Sequence, residues 1–510
     1  MVLEHNLSLV NKVNRLLNWG HWFTFFNILL ALLVTASYWL AEPLPQSLLG
    51  WSYLLSNWLG HTAFLCFLFF ILTVFPISLL FPSQKHVRGL GAALATLALV
   101  VLIFDAYVYR SLGYHIGNTS WQQTIELMQS QIVTNLRNFV LIVSVTAAGI
   151  LAIQLTLSNF CWKKVGRLQA TRSGRPIWIF FVGSFTLSHL IHIWGDAQLN
   201  LDIVRQDNVL PLTYPATAKS FLARYRLLDR QERASSQQQQ LDALDYLKPV
   251  STQLQCQPVQ TEPLTLVITP RLSQQDKQWL DQQGLRRLAP HFAPTEPQEA
   301  LVHLLFGQFA APEYIPTLLE TPPSWLLQQP ERFGIELDEN FSVVPAWMQN
   351  FSQPDAAVQL QFLRQPADIQ LPAAGPLLVV ELTGSHSQWK LAPASGWYLW
   401  PELRQQQQAA AGLHLDLLPT LLAYAGCQSQ PLLTGDNLLA PRNLPKLAIS
   451  QHEVYSFYKD KLVIIREDHS FGVWSAATGL PLNERFDMPM LVDAMQRLPI
   501  RNNDTTSPDH

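Results

Sequence analysis

Charged residues are scarce in this sequence. They make up 14% of its 510 residues, against roughly 25% in an ordinary soluble protein. The shortage is greatest for acidic residues in the first part: residues 1–195 contain 11 Lys/Arg and only 4 Asp/Glu, whereas the remaining 315 residues contain 23 and 33. This composition argues against a wholly soluble protein and predicts membrane segments in the first part, followed by an acidic second part.

Cysteines are also few. The chain has four, of which Cys66 lies in an apolar run and Cys161 at the edge of another, so at most one disulfide can form outside the apolar region. Cys256 and Cys427 are the remaining pair. An oxidising compartment would permit a bridge between them, but two cysteines in a sequence do not establish their distance, and the bridge stays open.

Apolar runs dominate the first part. Five of them approach or exceed the roughly 20 residues that a helix needs to cross a bilayer, at approximately 21–41, 57–81, 89–109, 139–160 and 176–194. The first run could be a signal peptide, but it is long, lacks a clear small-x-small cleavage site and precedes four more runs. We therefore predict a membrane domain of five transmembrane helices over residues 1–195, with the first run as an anchor.

The short loops predict the orientation of these spans. Nine basic residues fall on one side, namely Lys12, Arg15, Lys85, Arg88, Lys163, Lys164, Arg167, Arg172 and Arg175. The opposite loops have only Arg110 and Arg137, both at their margins. Because positive loops stay in the cytoplasm, we predict a cytoplasmic N-terminus and, after five crossings, an exported second part that is periplasmic in a bacterium with two membranes.

The sequence after residue 195 predicts a juxtamembrane connector over residues 196–250 and an α/β domain over residues 251–510. Within the connector, ASSQQQQ (234–240) is a low-complexity break. Strands are predicted at 264–269, 376–382 and 396–402, helices at 276–283, 299–309 and 413–426, and hairpin strands in KLAIS, DKLVIIRED and FGVWSAATG. Strands that alternate with helices indicate an α/β layer, with a small antiparallel sheet at its edge.

The connector contains a basic and aromatic stretch in an otherwise acidic region. Lys219, Arg226 and Arg230 recur at i, i+7 and i+11 and form one helical stripe, while Phe221 and Tyr225 fall largely on another. Such a helix next to the last span is suited to lipid phosphates, although an ordinary packing helix would show the same pattern. The candidate lipid-binding residues are Lys219, Phe221, Arg224, Tyr225, Arg226 and Arg230.

Polar side chains also occur within or at the ends of the apolar runs: His21, Asn27, His61, Asp105, His189 and His192. Ionisable groups in hydrocarbon usually face the interior of a helix bundle. Asp105 lies about one turn from the end of its run, so an interfacial position and a functional role are both open. His189 and His192 share one helical face, which favours a hydrogen bond in helix packing.

Three stretches carry a resemblance to a known family. WGHWFTFFNILLALLV (19–34), SHLIHIWGDA (188–197) and LPLTYPATAKSFLARYRLLD (210–229) resemble the YejM family, also called PbgA or LapC. Its members are inner-membrane proteins with five spans and a periplasmic sulfatase-like domain of the alkaline-phosphatase superfamily. The resemblance is nearly continuous over residues 19–230 and thinner beyond, where LHLDLLPTLLAYAG and LLTGDNLLAP are similar to the end of that fold.

The resemblance also indicates what the second domain lacks. Sulfatase-like enzymes end their first strand in a metal-binding Asp followed by Gly, and the matching positions here are Arg271 and Leu272. Arginine is cationic and cannot ligate a metal. Only TGSHSQWKLAPASG (383–396) joins two strands between which the family has its metal ligands, and CQPVQ (256–260) matches the nucleophile motif Cys-x-Pro-Ser-Arg too poorly to count. A shortened, degenerate sulfatase-like domain is predicted.

Few candidate metal ligands remain. His386, and the pair His414 and Asp416, are the alternatives, but a metal needs three or more convergent groups. His414 and Asp416 are two residues apart on a predicted helix, so they should point about 200° apart and serve as surface and capping residues. GSHSQ is not a nucleophile elbow either, because Ser387 falls one place too late. We expect no catalytic residue, metal or cofactor.

By resemblance, the protein is a non-catalytic regulator that senses lipid A of lipopolysaccharide, or another anionic phospholipid, and controls lipopolysaccharide synthesis. The implied partner is the membrane-anchored adaptor LapB, contacted through the spans. The resemblance places lipid A recognition at paired arginines that fall on Lys219 and Ser220, so one charge is kept and one is lost. Two alternatives remain open: a phospho- or sulfo-transferase or hydrolase of the alkaline-phosphatase superfamily, and a carrier of cardiolipin or another phospholipid.

Overall fold

The computed structural model describes residues 9–170, 174–198, 200–213 and 246–498, apart from short gaps at 259–261, 289, 340, 342, 365–368, 370, 373, 386–387, 407–410, 441–444, 469 and 485. The chain divides into two compact units, residues 1–234 and 235–510. We call the first the helical unit and the second the sheet unit.

The helical unit is built from the predicted apolar runs. Its helices are α1 (Leu9–Thr35), α2 (Leu48–Leu72), α3 (Val74–Leu80), α4 (Gln84–Leu112), α5 (Trp121–Ala170), α6 (Gly174–Ala197) and α7 (Leu201–Val204), with 3-10 turns at Ala36–Leu40 and Ile116–Asn118. Five stretches are long and apolar enough to cross a membrane: Val10–Leu40, Leu48–Leu80, Gln84–Leu112, Arg137–Ala170 and Gly174–Ala197. The prediction of five apolar membrane helices is confirmed.

Close backbone contact and one aromatic cluster organise these helices. At Gly60 of α2, a Cβ atom would lie 2.4 Å from the backbone nitrogen of Phe185 in α6, so only glycine lets the two helices approach this closely. Trp19 is fully buried beside Phe23, and its indole nitrogen donates to the carbonyl of Ser158 in α5 at 3.0 Å. These contacts connect α1 with α5, and α2 with α6.

The sheet unit is organised around a six-stranded mixed sheet. Its strand order is β3–β9–β7–β2–β6–β5, with bounds β2 (Leu264–Thr269), β3 (Arg286–Arg287), β5 (Phe333–Leu337), β6 (Val358–Phe362), β7 (Leu377–Glu381) and β9 (Gly396–Leu399). β5, β6, β2 and β7 are parallel, whereas β9 pairs antiparallel with β7, and β3 pairs antiparallel with β9 at the edge. The central strand β2 is almost entirely buried, as its continuous apolar sequence predicts.

The remaining elements cover this sheet or form smaller ones. The strands are β1 (Gln253–Cys256), β4 (His291–Pro294), β8 (Leu391–Ala394), β10 (Gly412–Leu413), β11 (Cys427–Gln430), β12 (Lys446–Ser450), β13 (Glu453–Tyr458), β14 (Lys461–Ile465) and β15 (Phe471–Ser475). The helices are α8 (Gln274–Gln282), α9 (Pro297–Phe306), α10 (Ile315–Glu320), α11 (Ser324–Gln328), α12 (Pro401–Gln406), α13 (Leu417–Tyr424) and α14 (Met488–Gln496), with 3-10 turns at Ala346–Phe351 and His414–Asp416.

Three sequence predictions need correction here. The segment 383–396 is more than a link, because it contains β8, which pairs with β4. The predicted helix at 413–426 begins only at Leu417: Leu413 belongs to β10, and a 3-10 turn follows it. The hairpin strands form a four-stranded antiparallel sheet, β12–β13–β14–β15, in which β13 was missed.

One covalent bond joins two strands of the sheet unit. Cys256 and Cys427 face each other in the antiparallel pair of β1 and β11 and form a disulfide across a sequence separation of 171 residues. The other two cysteines, Cys66 and Cys161, are free thiols of the helical unit. The open question about Cys256 and Cys427 is thus answered by the strand register, which the sequence alone did not reveal.

Candidate functional site

One end of the helical unit concentrates buried polar groups. We call it the connector end: residues 36–58, 102–123 and 188–213, where the chain leaves the unit toward the connector. The six predicted lipid-binding residues, Lys219, Phe221, Arg224, Tyr225, Arg226 and Arg230, lie outside the described residues, as do His386 and Ser387. We keep the name connector for residues 214–250 of the segment predicted at 196–250. The structure describes residues 200–213, directly before it, and these carry most of the polar contacts.

The first contact is made by Asp202 of α7. Its carboxylate accepts hydrogen bonds from the backbone nitrogens of Gln46 and Ser47, at 2.8 and 2.9 Å, and from the Ser47 hydroxyl. Burial alone would raise the pKa of Asp202, but these bonds outweigh it and lower that pKa. Ser47 in turn caps α2, so the start of this helix and residues 200–205 are held together.

A second contact is built around Asp207. His192 of α6 places its Nε2 atom 2.7 Å from Asp207 Oδ1, and the Tyr53 hydroxyl donates to the same oxygen at 3.4 Å. Burial raises the pKa of the Asp207 carboxyl despite the opposing effect of His192. The His–Asp bond joins α6 to the following segment, which agrees with the packing role that the sequence favoured for His192.

A third contact repeats this chemistry at Asp105. The Tyr38 hydroxyl and His115 Nδ1 both lie 2.7 Å from Asp105 Oδ2, and the backbone nitrogen of Ile116 donates to the other oxygen at 2.8 Å. His115 Nε2 is 2.8 Å from the carbonyl oxygen of Asn208. Both ring nitrogens of His115 face acceptor oxygens. Asp105 itself is buried within the helical unit.

A small cavity of about 230 Å³, lined by both polar and apolar side chains, lies beside these contacts. His61 closes one side by bonding the carbonyl of Pro211 at 2.9 Å, and His189 and His192 lie along α6 at another. Phe64 and Phe185 stack at 5.1 Å between ring centroids and form its apolar wall. The cavity thus presents imidazole and hydroxyl groups next to residues 211–213, directly before the connector.

Sequence reasoning found part of this site. It selected His61, Asp105, His189 and His192 but missed His115, Asp202 and Asp207, which lie outside the apolar runs. The signal was available, because Asp202 and Asp207 are acidic residues immediately after a span. Among the other selected groups, Asn27 bonds Gln154 within the bundle at 2.6 Å, and His21 is exposed, with its ring 5.6 Å from that of Phe70.

By the resemblance, a hydrolase site in the sheet unit would lie at the carboxyl end of β2. Arg271 follows this strand and donates to the Ser385 hydroxyl at 2.9 Å. The carboxylate of Glu381, at the end of β7, accepts from the backbone nitrogens of Leu272 and Ser395 at 2.9 and 2.7 Å, and Lys277 lies 3.6 Å away. Both oxygens of this buried carboxylate therefore have protein partners.

His414 and Asp416 are corrected by the structure. They were expected at the surface, but both are fully buried, because the 3-10 turn that carries them packs between β4 and α9. His414 Nδ1 lies 2.7 Å from His291 Nε2, and burial lowers the pKa of His414 to about 4. Asp416 does cap its turn, accepting from the backbone of Leu413 at 2.8 Å, and it also binds the Lys446 ammonium.

These groups do not form a metal centre. Within the described ranges, no three His, Cys, Asp or Glu side chains converge in a way that could hold a metal ion. The described part of the sheet unit thus offers buried polar contacts with internal partners, whereas the connector end offers a cavity that imidazole and hydroxyl groups help to line.

Comparison with known proteins is concentrated on the helical unit. Residues 6–256 match the family described as a domain of unknown function, DUF3413. Inner membrane protein YejM of Salmonella typhimurium is 34% identical over 232 residues, which cover 45% of this chain and 39% of YejM. An uncharacterized protein of Haemophilus influenzae is 32% identical over 263 residues, covering 51% of this chain and 44% of that protein.

The chain spans roughly two fifths of the length of these curated relatives. The crystal structure of a protein in the alkaline phosphatase superfamily from Vibrio parahaemolyticus is also similar, with a TM-score of 0.32 and 11% identity, covering 46% of this chain and 84% of that one. The family match thus lies in the first half of the chain. On these matches, the chain is similar to inner membrane protein YejM, and its residues 6–256 match the DUF3413 family.

Proposed function

We propose that this protein is a non-catalytic inner-membrane regulator that senses lipopolysaccharide through its connector and acts on membrane partners through its spans. The observation that carries the proposal is the way residues 200–213 are held. Contacts from α2, α6 and the loops between the spans fix this segment directly before the basic residues of the connector.

Such an attachment is what a sensor needs. If lipid A phosphates bind Lys219 and Arg226 in the connector, the bound lipid can shift the adjoining residues 200–213. This segment is hydrogen-bonded to four separate parts of the bundle. Histidine–carboxylate pairs such as His192–Asp207 are bonds that can be broken and remade at modest cost, so they suit a change between two arrangements. By this reasoning, the lipid-bound and lipid-free states differ in how residues 200–213 contact the spans.

The absence of catalysis is part of the proposal. Arg271 stands where the resemblance expects a metal-binding Asp, and both oxygens of nearby Glu381 are engaged by backbone amides. These residues support a binding role for the sheet unit.

The location follows the same proposal. The N-terminus is cytoplasmic and the sheet unit periplasmic, as the basic loops favour. The partner is an adaptor of the LapB type, which meets the spans because the cytoplasmic loops are short.

Lipid A binding by the full-length protein tests the sensing role. The triple variant Lys219→Ala, Arg226→Ala, Arg230→Ala should bind purified lipid A about a hundredfold more weakly, since each basic residue near an anionic surface contributes about 1 kcal/mol. Ser220→Arg should strengthen binding by adding a bidentate phosphate partner. Phe221→Ala is the matched control for the alternative that the connector is an ordinary packing helix. In that case Phe221→Ala would lower the stability of the protein, and the triple variant would keep its affinity for lipid A. Unchanged lipid A binding by the triple variant would refute the role.

A further inference from the structure

A long groove runs along the helical unit between α1, α2 and α6, with a volume of about 1160 Å³. Its walls are mainly aromatic and aliphatic. The largest lining side chains are Trp22, Phe25, Phe67, Trp178 and Phe181, and several of them are exposed or half-exposed. An open apolar surface of this kind is suited to hydrocarbon.

The length of the groove points to its occupant. On α1 it extends from Asn18 to Ile28 and on α6 from Arg175 to Phe185. Ten residues of helix are about 15 Å long, which is half of the roughly 30 Å hydrocarbon core. The far end is closed where Phe64 stacks on Phe185 and Gly60 brings the two helices together. A membrane-spanning partner helix needs the full thickness, whereas an acyl chain of one leaflet needs half.

The open end of the groove is polar and basic. Asn18, His21, Gln169 and Arg175 line it. Arg175 is exposed and forms no ion pair in the part of the chain that the structure describes. No Asp or Glu occurs anywhere between residues 127 and 195, so this stretch supplies no carboxylate for the guanidinium. An anion at this position therefore has to come from outside these helices, and a lipid phosphate fits the geometry of arginine.

We propose that the groove binds one anionic glycerophospholipid. Its phosphate lies at Arg175, and one acyl chain follows α1, α2 and α6 up to the Phe64–Phe185 pair. The site lies at the opposite end of the spans from the connector. It is separate from the lipid A site proposed above and does not depend on it. A phospholipid held there packs against α6, the helix that carries His189 and His192 at its other end.

Native mass spectrometry of the full-length protein in detergent tests this site, with palmitoyl-oleoyl phosphatidylglycerol and the matching phosphatidylcholine as probes. The wild-type protein should retain one phosphatidylglycerol and prefer it to phosphatidylcholine. Arg175→Gln should lower the affinity for phosphatidylglycerol about fivefold, as expected for one basic residue at an anionic headgroup. Lys163→Gln is the matched control: it removes an exposed charge at the same end but outside the groove, and it should leave the affinity unchanged.

The acyl-chain part of the site is tested by filling the groove. Val182→Trp adds a large side chain at a partly exposed lining position and should lower the affinity for both lipids at least roughly tenfold, since each displaced methylene is worth about 0.8 kcal/mol. Equal losses in Arg175→Gln and Lys163→Gln, or no preference for phosphatidylglycerol, would overturn the proposal. So would undiminished lipid binding by a folded Val182→Trp protein; if that variant fails to fold, the Arg175 and Lys163 pair decides alone.

The same samples separate the two lipid sites. Arg175→Gln should bind purified lipid A as the wild type does, and the triple connector variant should retain phosphatidylglycerol. Loss of both lipids in Arg175→Gln would mean that the groove is not a separate site and would overturn this inference while leaving the connector proposal standing.

Discussion

The connector end of the helical unit and the carboxyl end of β2 and β7 in the sheet unit both bury carboxylates, but they satisfy them differently. Asp105 and Asp207 bond histidine and tyrosine side chains beside a cavity. Glu381 is held by backbone amides, and Asp416 by backbone amides and a lysine. Side-chain pairs with histidine can exchange protons and partners near neutral pH, whereas amide-held carboxylates are fixed with the backbone. By this reasoning, the histidine-bonded Asp105 and Asp207 of the helical unit have changeable contacts, and Glu381 and Asp416 of the sheet unit have rigid ones. Asp202, also at the connector end, is held by backbone amides like the latter.

The largest effect should follow from breaking a rigid contact. Lys446→Met leaves the fully buried Asp416 without its ammonium partner, and removing one partner of a buried pair costs about 3–5 kcal/mol. Hydrogen exchange of the full-length protein, measured peptide by peptide, should show this loss in β12 and the 414–416 turn and leave the helical unit unchanged.

Lys390→Met is the control for this prediction. Lys390 is exposed, and surface substitutions usually change stability by less than about 0.5 kcal/mol. If Lys446→Met behaves like Lys390→Met, the Asp416 contact contributes little and the rigid character of this region is wrong.

The next effect is an acid sensitivity confined to the sheet unit. Burial lowers the pKa of His303 to about 3 and of His414 to about 4, against about 6.5 in an unfolded chain. Burial raises the pKa of Glu299 to about 7. Between pH 6.5 and 4.5, the two histidines take up protons in the unfolded state but not in the folded state, whereas Glu299 is protonated mainly in the folded state. The unfolded state therefore binds about one proton more than the folded state. The free energy of unfolding falls by about 1.4 kcal/mol for each pH unit of acidification, or about 3 kcal/mol over the window.

Substitution of His303 separates these contributions. In His303→Leu, proton uptake by His414 in the unfolded state and by Glu299 in the folded state offset each other. The change in the free energy of unfolding with pH between pH 6.5 and 4.5 should therefore fall to about zero. Urea unfolding at several pH values, followed by exchange of sheet-unit peptides, measures this slope. An unaltered slope in the variant would show that His303 does not titrate as its burial implies.

The extent to which the sequence predicted this molecule depends on where each signal lies along the chain. Apolar runs near 20 residues and the run at 264–269 have only one favourable structure each, so the five spans and β2 could be predicted. β13 was missed because EVYSFY lacks a clean alternation of apolar and polar residues. Burial of His414 and Asp416 could not be predicted, since it arises from packing against β4 and α9, elements more than 100 residues away in the sequence.

A smaller effect is expected from weakening a changeable contact. Asp105→Asn keeps the size of the side chain but removes the charge that His115 and Tyr38 face, and hydrogen bonds to a charged group are worth about 2 kcal/mol. Exchange should increase at residues 113–120 and, through the His115–Asn208 bond, at residues 206–213. Protection that is lost only within α4 would mean that Asp105 does not stabilise the segment before the connector. Asn27→Ala, which removes a polar bond elsewhere in the bundle, is the control for a general loosening.

The smallest effect should come from the position that resembles a catalytic one most closely. Arg271→Asp places a carboxylate where the resemblance expects a metal ligand, yet it removes only one hydrogen bond of an exposed side chain, to Ser385, so stability should change by less than about 1 kcal/mol.

Metal binding should not appear, because the oxygens of Glu381 already accept from Leu272 and Ser395 and a new carboxylate alone cannot supply three convergent ligands. Metal analysis of the purified variant and hydrolysis of a p-nitrophenyl phosphate or sulfate ester test this, with Arg271→Asn as the matched control for loss of the guanidinium. Stoichiometric zinc, calcium or manganese in the Asp variant alone, accompanied by turnover, would reveal a hydrolase site one residue from completion and would reverse the contrast drawn between the two units.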